Sequence, residues 1–465
     1  MVIASRSTII LYRSTNIVYQ RTISHLIDED TSIALWNKPF LYPHIQMMGD
    51  ASGGGECDEL PNSVASLERP KSLGVNGIRV EEKVGWQGWF KGISYTLLWY
   101  GSIMMGFYSL YCPILPLLLI NRKVYRRATE VIFTMWESFA VALMEVLYGV
   151  RFFMSGDVIR PGERSLLLLN HRNRLDWNFF WGALAHASSP PAHNCKIVLK
   201  SGIRKFPGLG WIMQMSCYLY IHRRWEEDQR LMSNILDYYR DINHTFQILL
   251  FPEGTNLTKE TKKKSDEFAV KAGLPFLTNV LHPRTTGFTY LVNKMRNGNQ
   301  LDAVYDITVA YPHTLPLTEL DVLRGKMPEE VHFHIKRHPV SSLPATDEGL
   351  KTWLAGVWSE KDELLQTTLS QGHFPESSTN LSHPPVNASY LSVLFWLPLT
   401  FGMAYLLCTW WVVQLWCLVF TVFFMVISFG TNGLQHFEVW LYRRQTRYKK
   451  ISEKTSSPLE QEREN

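Results

Sequence analysis

Residues 166–177, LLLLNHRNRLDW, carry a run of four leucines followed at once by Asn170, His171, Arg172, Asn173, Arg174 and Asp176. A short apolar run of that kind predicts a buried strand. His171 and Asp176, five positions apart just past its end, can meet across one turn. The carboxylate would then hold one imidazole nitrogen as N–H and leave the other to accept a proton. That is the base and the orienter of a catalytic triad, with no serine or cysteine nucleophile close by in the sequence. A base without a protein nucleophile points to a substrate hydroxyl as the attacking group. The plain alternative is a strand end with a solvated polar turn.

Three other stretches end strands with polar residues. ILLFPEGTN (248–256) runs an apolar segment into Pro252, Glu253, Gly254 and Thr255. Glycine lets the backbone approach a ligand closely, and a threonine hydroxyl and exposed N–H groups donate to phosphate. YLYIHRR (218–224) delivers Arg223 and Arg224 to a strand end, where a guanidinium can grip phosphate bidentately. ITVAYP (307–312) is a strand closed by proline. Each of these alone reads equally well as an ordinary turn or a solvated strand end.

The scaffold must bring those strand ends together. Apolar, β-rich runs recur at 165–169, 196–199, 217–221, 246–251 and 307–310. Helical patterns lie between them, such as 226–242 with Leu231, Ile235, Leu236 and Tyr239 on one face. Strands alternating with helices predict an α/β domain over 151–365, a mostly parallel sheet flanked by helices. Sites in such sheets gather where the strands end.

Composition bounds the rest. The chain has 465 residues and a formal net charge of +5, too mild to suggest a nucleic-acid partner. Six scattered cysteines without a CxxC pair exclude a disulfide scaffold and a zinc module. Sixteen tryptophans and twenty tyrosines suit a protein at a membrane interface. Between Lys91 and Arg122 no residue is charged, which is long enough to span a bilayer, with Pro113 and Pro116 expected to kink or end the helix. Arg122, Lys123, Arg126 and Arg127 place its C-terminal flank in the cytosol. The next block carries Glu130, Glu137 and Glu145, which predicts a helix lying in the interface or packed on the first one. Residues 390–431 are uncharged and fit a two-helix membrane hairpin turning at Trp410 and Trp411. The basic exit at Arg443, Arg444, Arg447, Lys449 and Lys450 returns it to the cytosol. The expected layout is an N-terminal extension (1–85), membrane-anchoring helices (86–150), the α/β domain (151–365), a Ser/Pro/Asn-rich linker (366–389), the hairpin (390–431), and a basic then disordered tail (432–465). Arg6, Arg13 and Arg21 without an acid before Ile27 leave a mitochondrial transit segment as the alternative for the extension.

Taken together and in order, NHRNRLD (170–176), YIHR (220–223), FPEGT (251–255) and ITVAYP (307–312) resemble the blocks of the glycerolipid acyltransferases, the 1-acylglycerol-3-phosphate acyltransferase superfamily. KFPGLGW (205–211), YLYIHRRW (218–225), LHPRTTGF (281–288) and DAVYDITVAYPH (302–313) resemble its lysocardiolipin acyltransferase branch. The resemblance covers roughly residues 86–440. It departs from the broad superfamily at Asn256, where many members have arginine, which tells against lysophosphatidic acid and for a bulkier headgroup.

The resemblance implies His171 as general base, Asp176 as its orienter, Arg223 on the substrate phosphate, and Glu253, Gly254 and Thr255 shaping the glycerophosphate pocket. Arg284 is a further phosphate ligand or else part of a structural salt bridge. The implied substrates are acyl-CoA, as co-substrate, and a lysophospholipid, lysocardiolipin or lysophosphatidylglycerol first, with lysophosphatidylinositol or lysophosphatidic acid as alternatives and a non-catalytic lipid-binding scaffold on the same fold as the competing reading. No cofactor and no metal is implied, and the implied home is the endoplasmic reticulum membrane, with a mitochondrial membrane as the alternative. His332, His334 and His338 share one strand face, but no carboxylate or cysteine stands at ligand spacing, so a structural strand is expected.

Overall fold

The computed structural model describes residues 85–188, 194–313, 318–375 and 386–461. The N-terminal extension expected over 1–85 and the middle of the expected linker lie outside the described residues. Seven strands form one sheet: β1 (Arg151–Gly156), β2 (Ser165–Leu169), β3 (Cys195–Lys200), β4 (Leu219–Ile221), β5 (Gln247–Leu250), β6 (Ala303–Ala310) and β7 (Glu330–Pro339). Their order is β1-β7-β6-β2-β5-β3-β4. Neighbours run parallel, except that β6 and β7 are antiparallel.

The helices used below are α1 (Trp86–Gly106), α2 (Arg122–Leu143), α3 (Asp176–Ala187), α4 (Leu209–Met215), α5 (Trp225–Asp241), α6 (Lys259–Ala272), α7 (Thr285–Asn297), α8 (Asp347–Gln371), α9 (Val386–Thr409), α10 (Trp411–Gly430) and α11 (Leu434–Gln461). Every residue of β2 and β6 is buried, because both faces of the sheet are covered. Successive side chains of a strand point to opposite faces, and the leucines of β2 divide accordingly. Leu166 and Leu168 join a core with Ile235 of α5, Leu291 of α7 and Trp358 of α8. Leu167 and Leu169 join a core with Phe107, Phe139 of α2, Trp181 of α3, Trp211 of α4, Trp396 of α9 and Phe424 of α10. One face of the sheet therefore packs on the apolar helices.

Among the described residues, four helices are long and apolar enough to cross a bilayer: Trp86–Ile120, Arg122–Tyr148, Ser389–Thr409 and Trp411–Gly430. The chain is thus a membrane protein. The first is irregular where Pro113 and Pro116 fall, and gives way to Asn121, whose side chain accepts from the Val124 N–H at the start of α2. α2 is the most enclosed: 56% of its apolar stretch is buried within the protein, against 17% for each of the last two. The acids that argued against a span there face protein instead of lipid. Glu130 pairs with His244 at 2.8 Å and lies 3.8 Å from Lys196, and Glu145 pairs with His186 at 2.9 Å. The long uncharged block breaks into two helices at Trp410.

Two expectations need correction, and one strand went unforeseen. Residues 366–371, expected in a linker, form the end of α8, which stops at the left-handed Gly372. β1 carried no period-2 signal that singled it out and is nevertheless an edge strand paired with β7. The tail expected to be disordered continues as helix to Gln461. Half of residues 452–461 are Ser, Thr or Pro, poor helix formers, so the helix there is an extension of one already anchored by packing.

Candidate active site

β2 ends at Leu169, and Asn170 locks that end to β6. The Val309 N–H donates to its Oδ1 at 2.8 Å, and its Nδ2 donates to the Val309 carbonyl at 3.1 Å. The chain then turns through His171 and enters α3 at Asp176, which is buried at the helix N-terminus, where a carboxylate is favoured. His171 Nδ1 lies 3.0 Å from Asp176 Oδ2. The same oxygen accepts the Asn173 N–H at 2.9 Å, and Oδ1 accepts the Tyr311 hydroxyl at 2.7 Å. Three contacts thus fix the carboxylate in place. With Nδ1–H directed at Asp176, His171 Nε2 carries the lone pair. The imidazole also stacks beside Phe251, ring centroids 4.4 Å apart.

Glu253 faces inward and binds two loops. Its Oε1 accepts the His171 N–H at 2.9 Å and its Oε2 accepts the Leu281 N–H at 3.1 Å. These bonds favour the carboxylate, yet burial outweighs them and pushes the Glu253 carboxyl up from 4.5 to about 7. A raised carboxyl pKa adds stability that is complete below the unfolded value and lost as pH rises through the folded one. Relative to Glu253→Gln, the wild type is therefore expected to lose on the order of 2–3 kcal/mol as pH rises from 4.5 to about 7. Melting curves of both proteins across that range check it, and a constant difference between them contradicts it.

Cations converge beside this turn. Arg223, just past β4, adopts a left-handed backbone (φ 61°) and donates through Nη2 to the Gly254 carbonyl at 3.2 Å. Gly254 is also left-handed (φ 72°), and a Cβ there would meet Arg284 Nε at 3.1 Å. The Arg284 N–H donates to the Pro252 carbonyl at 2.7 Å, tying the second loop to the first. Burial, and next the neighbouring Arg284, holds Arg223 below the usual guanidinium range. Burial, and next Arg223, does the same to the Lys200 ammonium at the end of β3. Crowded cations are stabilised by an anion. Two helices, α5 and α7, begin directly after Arg223–Arg224 and Arg284, adding N-terminal N–H groups to a site suited to phosphate. Thr255 lies half-buried in the same turn as Gly254.

Six of the seven residues expected from the sequence follow the C-terminal ends of β2, β4 and β5, Asp176 as the first residue of α3; Arg284 comes from the loop between α6 and α7. Two others belong with them. Tyr311 sits within ITVAYP, but its hydroxyl contact with Asp176 joins residues 135 apart in the chain. Lys200 is a lone lysine whose strand-end position was its only signal. The three strand histidines serve packing: His332 stacks on Phe153 and His338 meets Trp353. A carboxylate does accompany them, since His332 Nε2 lies 2.9 Å from Glu330 Oε2, but among the described residues no His, Cys, Asp and Glu cluster is placed to hold a metal.

A family model described as Acyltransferase matches residues 151–312, and one described as Acyltransferase C-terminus matches residues 321–396. Lysocardiolipin acyltransferase 1 of Mus musculus is 39% identical over 76% of this chain and 96% of its own length. The protein of that name from Danio rerio is 45% identical over 59% of this chain and 71% of its own. Lysophosphatidylinositol acyltransferase 10 of Caenorhabditis elegans is 39% identical over 61% of this chain and 72% of its own. The chain therefore belongs to the glycerolipid acyltransferase family, and it is an acyltransferase.

Proposed function

We propose that the protein transfers a fatty acyl group from acyl-CoA to a free hydroxyl of a lysophospholipid, with monolysocardiolipin or lysophosphatidylglycerol as acceptor. The supporting observation is the 3.0 Å pairing of His171 with a buried Asp176, set beside clustered cations. His171 Nε2 takes the proton of the lipid hydroxyl as that oxygen attacks the thioester carbon. The C–O bond forms, the C–S bond breaks as the tetrahedral adduct collapses, and the imidazolium returns its proton to the departing CoA thiolate. Asp176 stabilises the imidazolium between those two transfers. Arg223, Arg284 and Lys200 hold the lysolipid phosphate, and Glu253 positions the loops that carry His171 and Arg284. Gly254 and Thr255 form the pocket wall.

The basic flanks at Arg122–Arg127 and Arg443–Arg447 favour the cytosolic side for the sheet, where acyl-CoA is dissolved, with α2 packed against the protein and not crossing, and the proposed home is the endoplasmic reticulum membrane, a mitochondrial membrane being the alternative. The similarity to a protein named for lysophosphatidylinositol favours that lipid as the second acceptor to test.

The test supplies labelled oleoyl-CoA and a panel of lysolipids to the reconstituted full-length chain. The expected result is acylation of monolysocardiolipin or lysophosphatidylglycerol ahead of lysophosphatidic acid. Acylation of no lysolipid in the panel contradicts the proposal. Arg223→Gln is expected to raise the KM for the lysolipid about ten- to hundredfold, the effect of losing one charge-assisted phosphate contact. A KM that stays at the wild-type value would remove Arg223 from the phosphate site.

A further inference from the structure

The segment that leaves the membrane has one sealed face and one open face. α10 ends at Gly430 and α11 begins at Leu434. On the sealed side Gln435 and Glu438 are buried, and Tyr442 meets Tyr238 of α5, ring centroids 5.2 Å apart. On the other side α11 and α5 enclose a groove of about 680 Å³. Four arginines line it, Arg230 from α5 and Arg443, Arg444 and Arg447 from α11, together with His436 and Trp440, and no acid does.

Apart from the exposed Glu226, one turn before Arg230, the acids nearby are committed elsewhere. Glu227 pairs with Arg224, Asp228 accepts the His222 and Arg224 N–H groups, and Asp237 pairs with Arg240 and Lys294. The single acid between 434 and 447, Glu438, is buried against Arg126 at 2.6 Å. The groove is thus strongly positive. Phe437 and Trp440 stack at 5.7 Å and are each about half exposed, and the Arg444 guanidinium lies 5.4 Å from the centre of the Trp440 ring. Aromatic rings and arginines immediately beyond a membrane-length helix are what headgroup depth selects. Val426 and Phe429, at the end of α10, remain exposed and apolar.

We propose that this groove binds the phosphodiester headgroup of an intact anionic phospholipid of the cytosolic leaflet, with its acyl chains lying along α10. It shares no lining residue with the His171 site, so it is a second lipid site and not the acceptor pocket. Its ligand is a membrane lipid, and neither free phosphate nor the phosphates of CoA.

Binding is read without turnover and with a lipid that is not a product of the proposed reaction, so the result is separate from the acceptor assignment. Full-length protein in neutral detergent is titrated with labelled phosphatidylserine or phosphatidylcholine, and the retained lipid is counted. Saturable retention of phosphatidylserine alone is expected. Arg230→Gln/Arg443→Gln/Arg447→Gln should weaken it about a hundredfold, and Arg443→Gln alone about fivefold. Lys262→Gln/Lys263→Gln/Lys264→Gln, which removes the same charge from α6, and Arg223→Gln should each leave it within about twofold. The proposal is overturned if the groove variants bind like wild type, or if the lysine variant or Arg223→Gln loses as much. Displacement of the lipid by CoA or by inorganic phosphate also overturns it.

Discussion

Acyl transfer by His171→Ala is expected to fall by about 10³- to 10⁴-fold, with no change in membrane association and little change in melting temperature. On the proposed mechanism the loss follows from removing the group that accepts the hydroxyl proton during attack. The fold should survive because the turn is held by the backbone of residue 171. Its N–H donates to Glu253 and its carbonyl accepts the Leu257 N–H at 2.8 Å, and both bonds remain in alanine. The imidazole is at the rim of the site, so its truncation leaves a solvent-filled notch and not a core cavity. Initial rates with saturating oleoyl-CoA, alongside melting curves and membrane pelleting, measure all three quantities. An active His171→Ala would mean that the base lies elsewhere, and an inactive but unfolded one would leave Asp176→Asn as the variant to read. That change keeps the shape of the side chain but removes the charge that fixes the imidazole tautomer.

Glu438→Ala is expected to lower stability by about 3–5 kcal/mol, the cost of stranding one member of a buried ion pair. Arg126 on α2 and Glu438 on α11 have side chains only 3% and 0% exposed, at 2.6 Å. The same guanidinium nitrogen reaches the Met215 carbonyl at 2.6 Å, and the Tyr238 hydroxyl donates to Glu438 Oε1 at 2.6 Å. Four segments, α2, α4, α5 and α11, meet at this pair. Arg126→Met/Glu438→Leu removes both charges, so it should recover most of the loss. Denaturation of the three proteins in one detergent measures the coupling. A Glu438→Ala protein within about 1 kcal/mol of wild type would show that the pair does not join these segments.

What the sequence reveals and what it hides divide by distance along the chain. β2 and the turn after it are legible because four leucines and a His–Asp spacing lie within a dozen residues and obey local rules. The parallel sheet is legible from alternation, since strands separated by helices have few other ways to pair. The antiparallel β6–β7 pairing is not, because β6 and β7 are consecutive strands without a tight-turn signal between them, and tertiary packing decides their direction and register. Tyr311 illustrates the same limit at the site. It reads as one residue of a proline-ended strand, and only the parallel neighbours β2 and β6 bring its hydroxyl to Asp176. Lys200 reaches Arg223 because β3 and β4 are adjacent. The acids of α2 mislead when read locally. Glu130 looks like a residue unfit for lipid, whereas its partners Lys196 and His244 arrive from the sheet domain. Arg126 and Glu438, 312 residues apart, leave no local trace of their pairing.

The most direct test of the mechanism asks whether the acyl group is ever attached to the protein. A base that activates a lipid hydroxyl predicts transfer in one step within a ternary complex, without an acyl-enzyme. The purified full-length chain is mixed with radiolabelled oleoyl-CoA, with and without monolysocardiolipin, quenched in denaturant and separated into protein and lipid fractions. The account predicts label in lipid only when the lysolipid is present, none on the protein at any time, and intersecting initial-rate plots. Label on the protein that chases into lipid when lysolipid is added, with parallel plots, would contradict it.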